Sequence, residues 1–186
     1  MARQPRDAEF RLRPARPPDY FFAVTLYLDS AKRHLSKIGR WDRWRLTTRF
    51  RRGYKQAQTE VICLGDRRIG WMQVAELVGR LHLHQLHLSA DFRRRGIGTR
   101  LIKDLLRRAD SIGKPVTLEV MHGNPARLLY VRLGFRQTGQ GADKMQMIWR
   151  PTRAKRAEQG RLRRKGAGRL AAPRAPTPRG GVSPIA

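Results

Sequence analysis

The spacing of apolar positions changes several times along the chain, and each change predicts an element. FRLRPA (10 to 15) alternates apolar and polar residues, the period of a strand. Pro17, Pro18 and Asp19 then open a helix through about Lys37, with apolar positions at Phe22, Leu26 and Leu35, and Gly39 ends it. WDRWRLTTRFRRGY (41 to 54) fits a second short helix. TEVICLGDRRIGWMQVAEL (59 to 77) reads as two strands around a Gly65–Asp66 turn. RLHLHQLHLS (80 to 89) shows the strongest alternation and is a fourth strand. Helical spacing returns over 97 to 112, where Leu101, Ile102, Leu105 and Leu106 share a face. PVTLEVM (115 to 121) is a short strand of the buried type, Pro125 to Leu133 suits a helix closed by Gly134, and KMQMIWR (144 to 150) is a last strand.

After Trp149 the composition shifts. Residues 150 to 186 hold 11 Lys or Arg, one acidic residue and no aromatic. Such a segment cannot bury enough apolar surface to offset its ordering entropy. The expected organisation is a flexible lead (1 to 9), one domain (10 to 150) and a basic disordered tail (151 to 186). The whole chain carries 41 Lys and Arg against 14 Asp and Glu, a formal net charge of +27. A surface of that sign attracts nucleic acid, anionic lipid or a multiply charged cofactor, and charge alone does not choose among them. The tail is either a solvated extension or an arm for a polyanion.

The single cysteine, Cys63, excludes an internal disulfide and a Cys-rich zinc site, and no metal is expected. Its setting, VICL, is that of a buried thiol. The longest apolar run, YFFAVTLYL (20 to 28), is far short of the roughly 20 residues of a membrane span. The first 19 residues are charged and Pro-rich, without a secretory pattern. A soluble, cytoplasmic protein without membrane contact is expected.

DFRRRGIGTRL (91 to 101) lies between the fourth strand and a helix. In that position backbone N–H groups at the helix N-terminus converge on an anion, and the helix dipole adds roughly half a positive charge. Gly96 and Gly98 let the backbone approach a bulky diphosphate, while Arg93, Arg94 and Arg95 raise the local potential. Neither the GxxxxGK[ST] loop of nucleoside triphosphate binders nor a full GxGxxG is present.

Arg93-x-x-Gly96-x-Gly98 is similar to the [QR]-x-x-G-x-[GA] signature of the GNAT superfamily of acyl-CoA-dependent N-acetyltransferases. VMHGNPARLLYVRLGF (120 to 135) resembles a second block of that superfamily, with Asn124, Tyr130, Gly134 and Phe135 at the matching positions. The resemblance covers about residues 10 to 149. It implies an α/β (α+β) fold with a mixed, mostly antiparallel sheet splayed between strands 4 and 5 and flanked by helices. It also implies acetyl-CoA as cosubstrate. The pantetheine arm would pair with Leu86, His87 and Leu88, and the pyrophosphate would sit on the amides of Arg94, Arg95, Gly96, Ile97, Gly98 and Thr99. Asn124 would line the other wall, and Tyr130 would stand near the thioester sulfur.

Acetyl transfer to an amine requires deprotonation of the amine, stabilisation of an oxyanion and protonation of the leaving thiolate. The resemblance implies Tyr130 for the last role and the Leu88 N–H as an oxyanion donor. Many relatives have a Glu six residues before the position of Leu88; this chain has His82 there and His84 two residues on. Alternation puts both imidazoles on one strand face and sends His87 to the other, where it packs. A neutral imidazole accepts a proton near neutral pH. HLHQLHL is similar to the equivalent strand of serotonin (arylalkylamine) N-acetyltransferases, where paired histidines act through water. Glu60 and Glu76 are reserve bases. Trp41, Trp44, Tyr54 and Trp71 could wall an acceptor site, but aromatics at such spacing are more often core.

The leading expectation is an N-acetyltransferase acting on a primary amine of a small molecule or protein, as a monomer or homodimer. The rival is a degenerate core of this fold serving as a basic nucleic-acid- or ribosome-binding protein, with polyanion contact through the tail.

Overall fold

The computed structural model describes residues 10–36 and 39–152. The chain divides into two units, Met1–Pro151 and Thr152–Ala186. The expected lead, the end of the first helix at Lys37 and nearly all of the expected tail lie outside the described residues.

Strand β1 (Phe10–Pro14) leads into helices α1 (Asp19–Leu35) and α2 (Arg43–Gly53). Strands β2 (Thr59–Leu64), β3 (Arg67–Leu77) and β4 (Arg80–Leu88) follow. Helix α3 (Ile97–Ser111), strand β5 (Val116–Met121), helix α4 (Ala126–Arg132), and strands β6 (Arg136–Gln140) and β7 (Lys144–Trp149) complete the domain. Strand β6 was not anticipated. Its sequence, RQTGQ, is almost entirely solvent-exposed and carries no apolar alternation, so its only signal is backbone pairing with β7.

The seven strands form one sheet in the order β1-β2-β3-β4-β5-β7-β6. Only the β4–β5 pair is parallel among the pairings described. That pairing is short, joining Leu81–Leu83 to Val116–Leu118. Beyond Leu83 strand β4 leaves its neighbour, while β5 stays with β7 as far as Met121 opposite Lys144. The sheet is therefore splayed between its fourth and fifth strands, as the motif resemblance implied.

Each face of the sheet has its own core. Helix α3 buries Leu101, Ile102, Leu105, Leu106 and Ala109 against Met72, Leu81, Leu83, Val116 and Leu118, in a cluster that also holds Tyr130. Full burial of such a side chain is worth about 1.5–3 kcal/mol. The other face packs Ala23 and Leu26 of α1 and Phe50 of α2 around Trp71. Cys63 is buried, as its apolar setting predicted, beside Ala15 and Val61.

Asp19 has a larger part than the sequence suggested. It is 2% exposed and accepts hydrogen bonds from Arg13 Nη1 and Nη2 (2.7 and 2.9 Å), the Arg16 N–H (2.8 Å) and Arg68 Nη1 (3.1 Å). The start of α1 is thereby clamped to β1 and β3. The Arg13 pair holds the Asp19 carboxyl well below its ordinary value, against the opposing effect of burial, with the Arg16 amide and Arg68 adding to the shift.

Candidate active site

The geometry of the split begins with a bulge. Pairing of β3 with β4 runs Val74 to Leu83, then Gln73 to Gln85, which leaves His84 as the extra residue. Before the bulge, the Leu81 N–H faces the β5 side and donates to Pro115 O (2.9 Å). After it the parity changes, so the backbone edges of Leu86 and Leu88 turn toward the split. No β5 partner meets that edge beyond Leu83.

The bulge corrects one expectation. His87 does not point away from His82. It lies opposite Trp71, as His82 lies opposite Ala75 and Gln85 opposite Gln73, all on the face covered by α1 and α2. Strict alternation failed because one residue was inserted between them. Its role as packing stands: the ring stacks on Trp71 (4.9 Å between centroids), meets Tyr27 edge-on (5.7 Å) and is 2.8 Å, Nε2 to Oε1, from Gln85. Burial, with the Arg93 charge, lowers its pKa to about 4, so this imidazole is neutral at pH 7.

Gly70 makes the approach of β3 to the end of β4 feasible. A Cβ at this position would lie 2.4 Å from His87 O and 2.8 Å from Leu88 Cδ2. Sequence reading gave no reason to select this glycine, because the contact exists only once the strands pair.

At the end of β4 the chain turns into α3. Arg94 has φ 58° and Gly96 φ 80°, both left-handed. Glycine takes that conformation without cost, whereas a side chain such as that of Arg94 adds strain there. Helix α3 starts with no side-chain cap and no acidic residue in its first turn. The N–H groups of Ile97, Gly98 and Thr99 belong to that turn and have no partner within the helix. Arg93 is committed elsewhere: its Nε donates to Leu88 O (2.6 Å) and its Nη2 to Ser30 Oγ (3.1 Å), tying the end of β4 to α1. Gly98 lies near Leu88 and Leu129, between β4 and α4.

On the far side of the split, Asn124 Oδ1 accepts from the Ala126 N–H (2.9 Å) and caps α4. Tyr130 lies on α4, is 9% exposed and packs edge-on against Phe135 (5.6 Å). Burial pushes its phenol up to about 12 from 10.0.

His82 and His84 come together, with ring centroids 4.4 Å apart. The Thr117 hydroxyl donates to Leu81 O (3.3 Å) and accepts from His82 Nδ1–H (2.8 Å), which leaves Nε2 as the free lone pair. Burial lowers the pKa of both rings, and for His82 the neighbouring His84 and Arg80 add to the effect against Glu119. Both are therefore neutral, proton-accepting groups at pH 7. Glu76, a reserve base on sequence grounds, is held by Lys114 (2.6 Å) and Arg108 (3.5 Å).

A cavity of about 110 Å3 adjoins His84, lined by Tyr27, Arg49, Phe50, Tyr54, Trp71, Gln73 and Gln85 among others. Two of the aromatics assigned to the core, Tyr54 and Trp71, thus wall a space between α1, α2 and the sheet. Trp44 is 78% exposed and takes no part in it. Among the described residues, no group of three or more His, Cys, Asp or Glu side chains is arranged to hold a metal, and no helix is long and apolar enough to cross a membrane.

Solved structures share this architecture. The PaiA N-acetyltransferase of Thermoplasma acidophilum, in complex with coenzyme A, aligns with a TM-score of 0.64 at 14% identity over 76% of this chain and 99% of its own. An N-acetyltransferase of Staphylococcus aureus aligns with a TM-score of 0.58 at 17% identity over 75% of this chain and 100% of its own. An acetyltransferase of Thermus thermophilus gives 0.59 at 16% identity, covering 76% and 96%. At these identities the likeness shows the fold. No curated protein matches by sequence. The sequence model of the acetyltransferase (GNAT) family matches residues 20–135, which span the splayed strands, the loop into α3 and the α4 block. The chain belongs to the GNAT family of acetyltransferases.

Proposed function

We propose that this chain transfers an acetyl group from acetyl-CoA to a primary amine by direct attack within the split. The observation that carries the reading is the edge of β4 at Leu86 and Leu88, which has no β5 partner and runs into a left-handed Gly96 and an uncapped helix N-terminus. Together they offer an extended hydrogen-bonding edge followed by an anion cradle, the two recognition elements that a pantetheine diphosphate requires.

Acetyl-CoA supplies an acyl group activated as a thioester. The edge of Leu86 would pair with the pantetheine amides beside Leu88, whose carbonyl Arg93 holds, and His87 would brace the strand from its other face. The amides of Arg94, Arg95, Gly96, Ile97, Gly98 and Thr99 would receive the diphosphate. Arg93 would hold the cradle in register through Leu88 O, and Asn124 would fix the opposite wall by capping α4. In the transfer, the amine nitrogen forms a bond to the acyl carbon and the carbon–sulfur bond breaks. The His82–His84 pair takes the amine proton through water, the Leu88 N–H stabilises the oxyanion, and Tyr130 gives its proton to the departing thiolate. The cavity beside His84 would receive the acceptor.

Calorimetric titration of the full chain with acetyl-CoA tests the reading, followed by an amine screen for CoA release. Micromolar binding is expected, and Gly96→Asp should weaken it at least 100-fold. That substitution adds a carboxylate at the diphosphate and forces a side chain into the left-handed region, a backbone cost of about 1–2 kcal/mol. A Cβ there meets nothing within 4 Å, so the domain should still fold. Gly96→Asn, which tolerates the backbone and carries no charge, should retain binding. Equal affinity in wild type and Gly96→Asp would sink the assignment.

A further inference from the structure

The short parallel pairing at which the split opens also fixes an imidazole. Along β5, Val116, Leu118 and Val120 are buried in the core on the α3 side, and Thr117 and Glu119 between them turn to the opposite face. Register sets Thr117 directly across from His82. Its hydroxyl lies 2.8 Å from His82 Nδ1 and 3.3 Å from Leu81 O. Leu81 is tied into the sheet through its N–H on Pro115 O (2.9 Å), so its carbonyl is a fixed partner. A β-branched side chain on a strand has few rotamers, which makes Thr117 a stiff one as well.

The hydroxyl has one proton to place. Given to Nδ1, it would leave Oγ1 facing Leu81 O with no hydrogen between two sets of lone pairs. Given to Leu81 O, it leaves an Oγ1 lone pair for the His82 Nδ1–H, and both contacts are hydrogen bonds. Glu119, on the same strand face, is engaged by Lys144 (2.7 Å). His84 shows the contrast. It lines the cavity, and among the described residues its ring makes no hydrogen bond. The His82 ring is 4.4 Å from it, centroid to centroid. Of the two imidazoles, the sheet orients His82.

We propose that Thr117 is a positioning residue for acetyl transfer: its hydroxyl holds His82 as the Nδ1–H tautomer, so that Nε2 is the nitrogen that takes the proton. The amine proton passes through water to Nε2, His82 becomes an imidazolium with Nδ1–H still on Thr117, and the proton returns to solvent after the product leaves. Thr117 itself neither gains nor loses a proton. In the other tautomer the lone pair would point at Thr117, inside the sheet. The inference rests on the acetyl-transfer reading for its kinetic part, while the tautomer is a property of the free protein.

Two-bond 1H–15N correlation spectra of the 15N-labelled full chain above pH 7 read the tautomer directly. The His82→Gln protein identifies the His82 signals among the five histidines. Wild type is expected to show a protonated Nδ1 and an unprotonated Nε2. Thr117→Val keeps the branched shape and removes the hydroxyl. It should shift the population toward Nε2–H and lower kcat about 10-fold for CoA release with phenethylamine as the amine probe, leaving acetyl-CoA affinity level. Thr117→Ser, which restores the hydroxyl, should restore both the spectrum and kcat. An unprotonated Nδ1 in wild type would overturn the inference whatever the activity. Wild-type kcat in Thr117→Val would overturn it as well, and so would a Thr117→Ser protein that fails to recover what Thr117→Val loses, since that marks a packing effect. Failure to bind acetyl-CoA would remove the acetyl-transfer reading and the role of Thr117 within it; the two failures differ because the tautomer is read without substrate.

Discussion

Replacing Tyr130 with Phe separates chemistry from folding, because the structure gives the hydroxyl no structural task. The ring is 9% exposed in the core cluster, and the hydroxyl makes no hydrogen bond to the described residues. Phe keeps the ring and its contact with Phe135. The change in stability should stay within about 0.5 kcal/mol, or roughly 1–2 °C in Tm for a chain of this size. The chemical effect should be much larger. Loss of a positioned general acid removes about 10²–10⁴ in rate, which corresponds to roughly 2.7–5.4 kcal/mol. Burial raises the phenol to about 12, so the acid is protonated at every pH up to roughly 11. Wild-type kcat should therefore rise as His82 and His84 become neutral, through a pKa below their ordinary 6.5, and stay level on the alkaline side. The assay combines steady-state CoA release at saturating acetyl-CoA with calorimetric affinity and a thermal melt. The expected result is a fall in kcat of about 100-fold or more, with affinity and Tm unchanged. Equal kcat in the two proteins would remove Tyr130 from the acid role, and a fall in Tm by several degrees would show that the hydroxyl has a structural partner.

Gly70→Ala should destabilise the domain by about 2–3 kcal/mol, because the new methyl would meet His87 O at 2.4 Å and β4 must move. The same shift displaces Leu86 and Leu88, so acetyl-CoA affinity should fall with stability; an unchanged urea midpoint would refute the close approach of the strands. Asp19→Asn should cost about 3 kcal/mol by breaking a buried ion pair and leaving Arg13 and Arg68 without their acid. The Asp19 carboxyl is held below its ordinary 3.8, so its stabilising contribution is complete above that value and is lost as the pH falls through the lower, folded-state value. Wild type should lose stability on acidification below about pH 4, and Asp19→Asn should show a shallower loss in urea melts between pH 2 and pH 6. Parallel pH curves would rule out the buried pair as the source.

The sequence by itself determined most of the elements and the family motifs. Alternation placed β4, helical spacing placed α3 with Leu101, Ile102, Leu105 and Leu106 on its core face, and both boundaries lie within one residue of the structure. These are local properties, set by side-chain period and by the turn chemistry of Gly65 and Gly96. The histidine pair was legible as well, since two residues on one strand face need no knowledge of the remaining fold. Strand β6 was not legible, because a polar edge strand has no period and exists only through its pairing with β7. The bulge at His84 arises from the register of two strands, and it alone decides that His87 faces Trp71 and that Leu86 and Leu88 face the split. The clamp on Asp19 joins Arg13 and Arg68, which are 55 positions apart in the chain. The cavity beside His84 exists only because α1, α2 and the sheet bring Tyr27, Phe50, Tyr54 and Gln85 together. Period and turn chemistry act over a few residues and can be read in order; register, long-range charge pairing and enclosed space depend on which distant segments meet, and only the tertiary structure decides that.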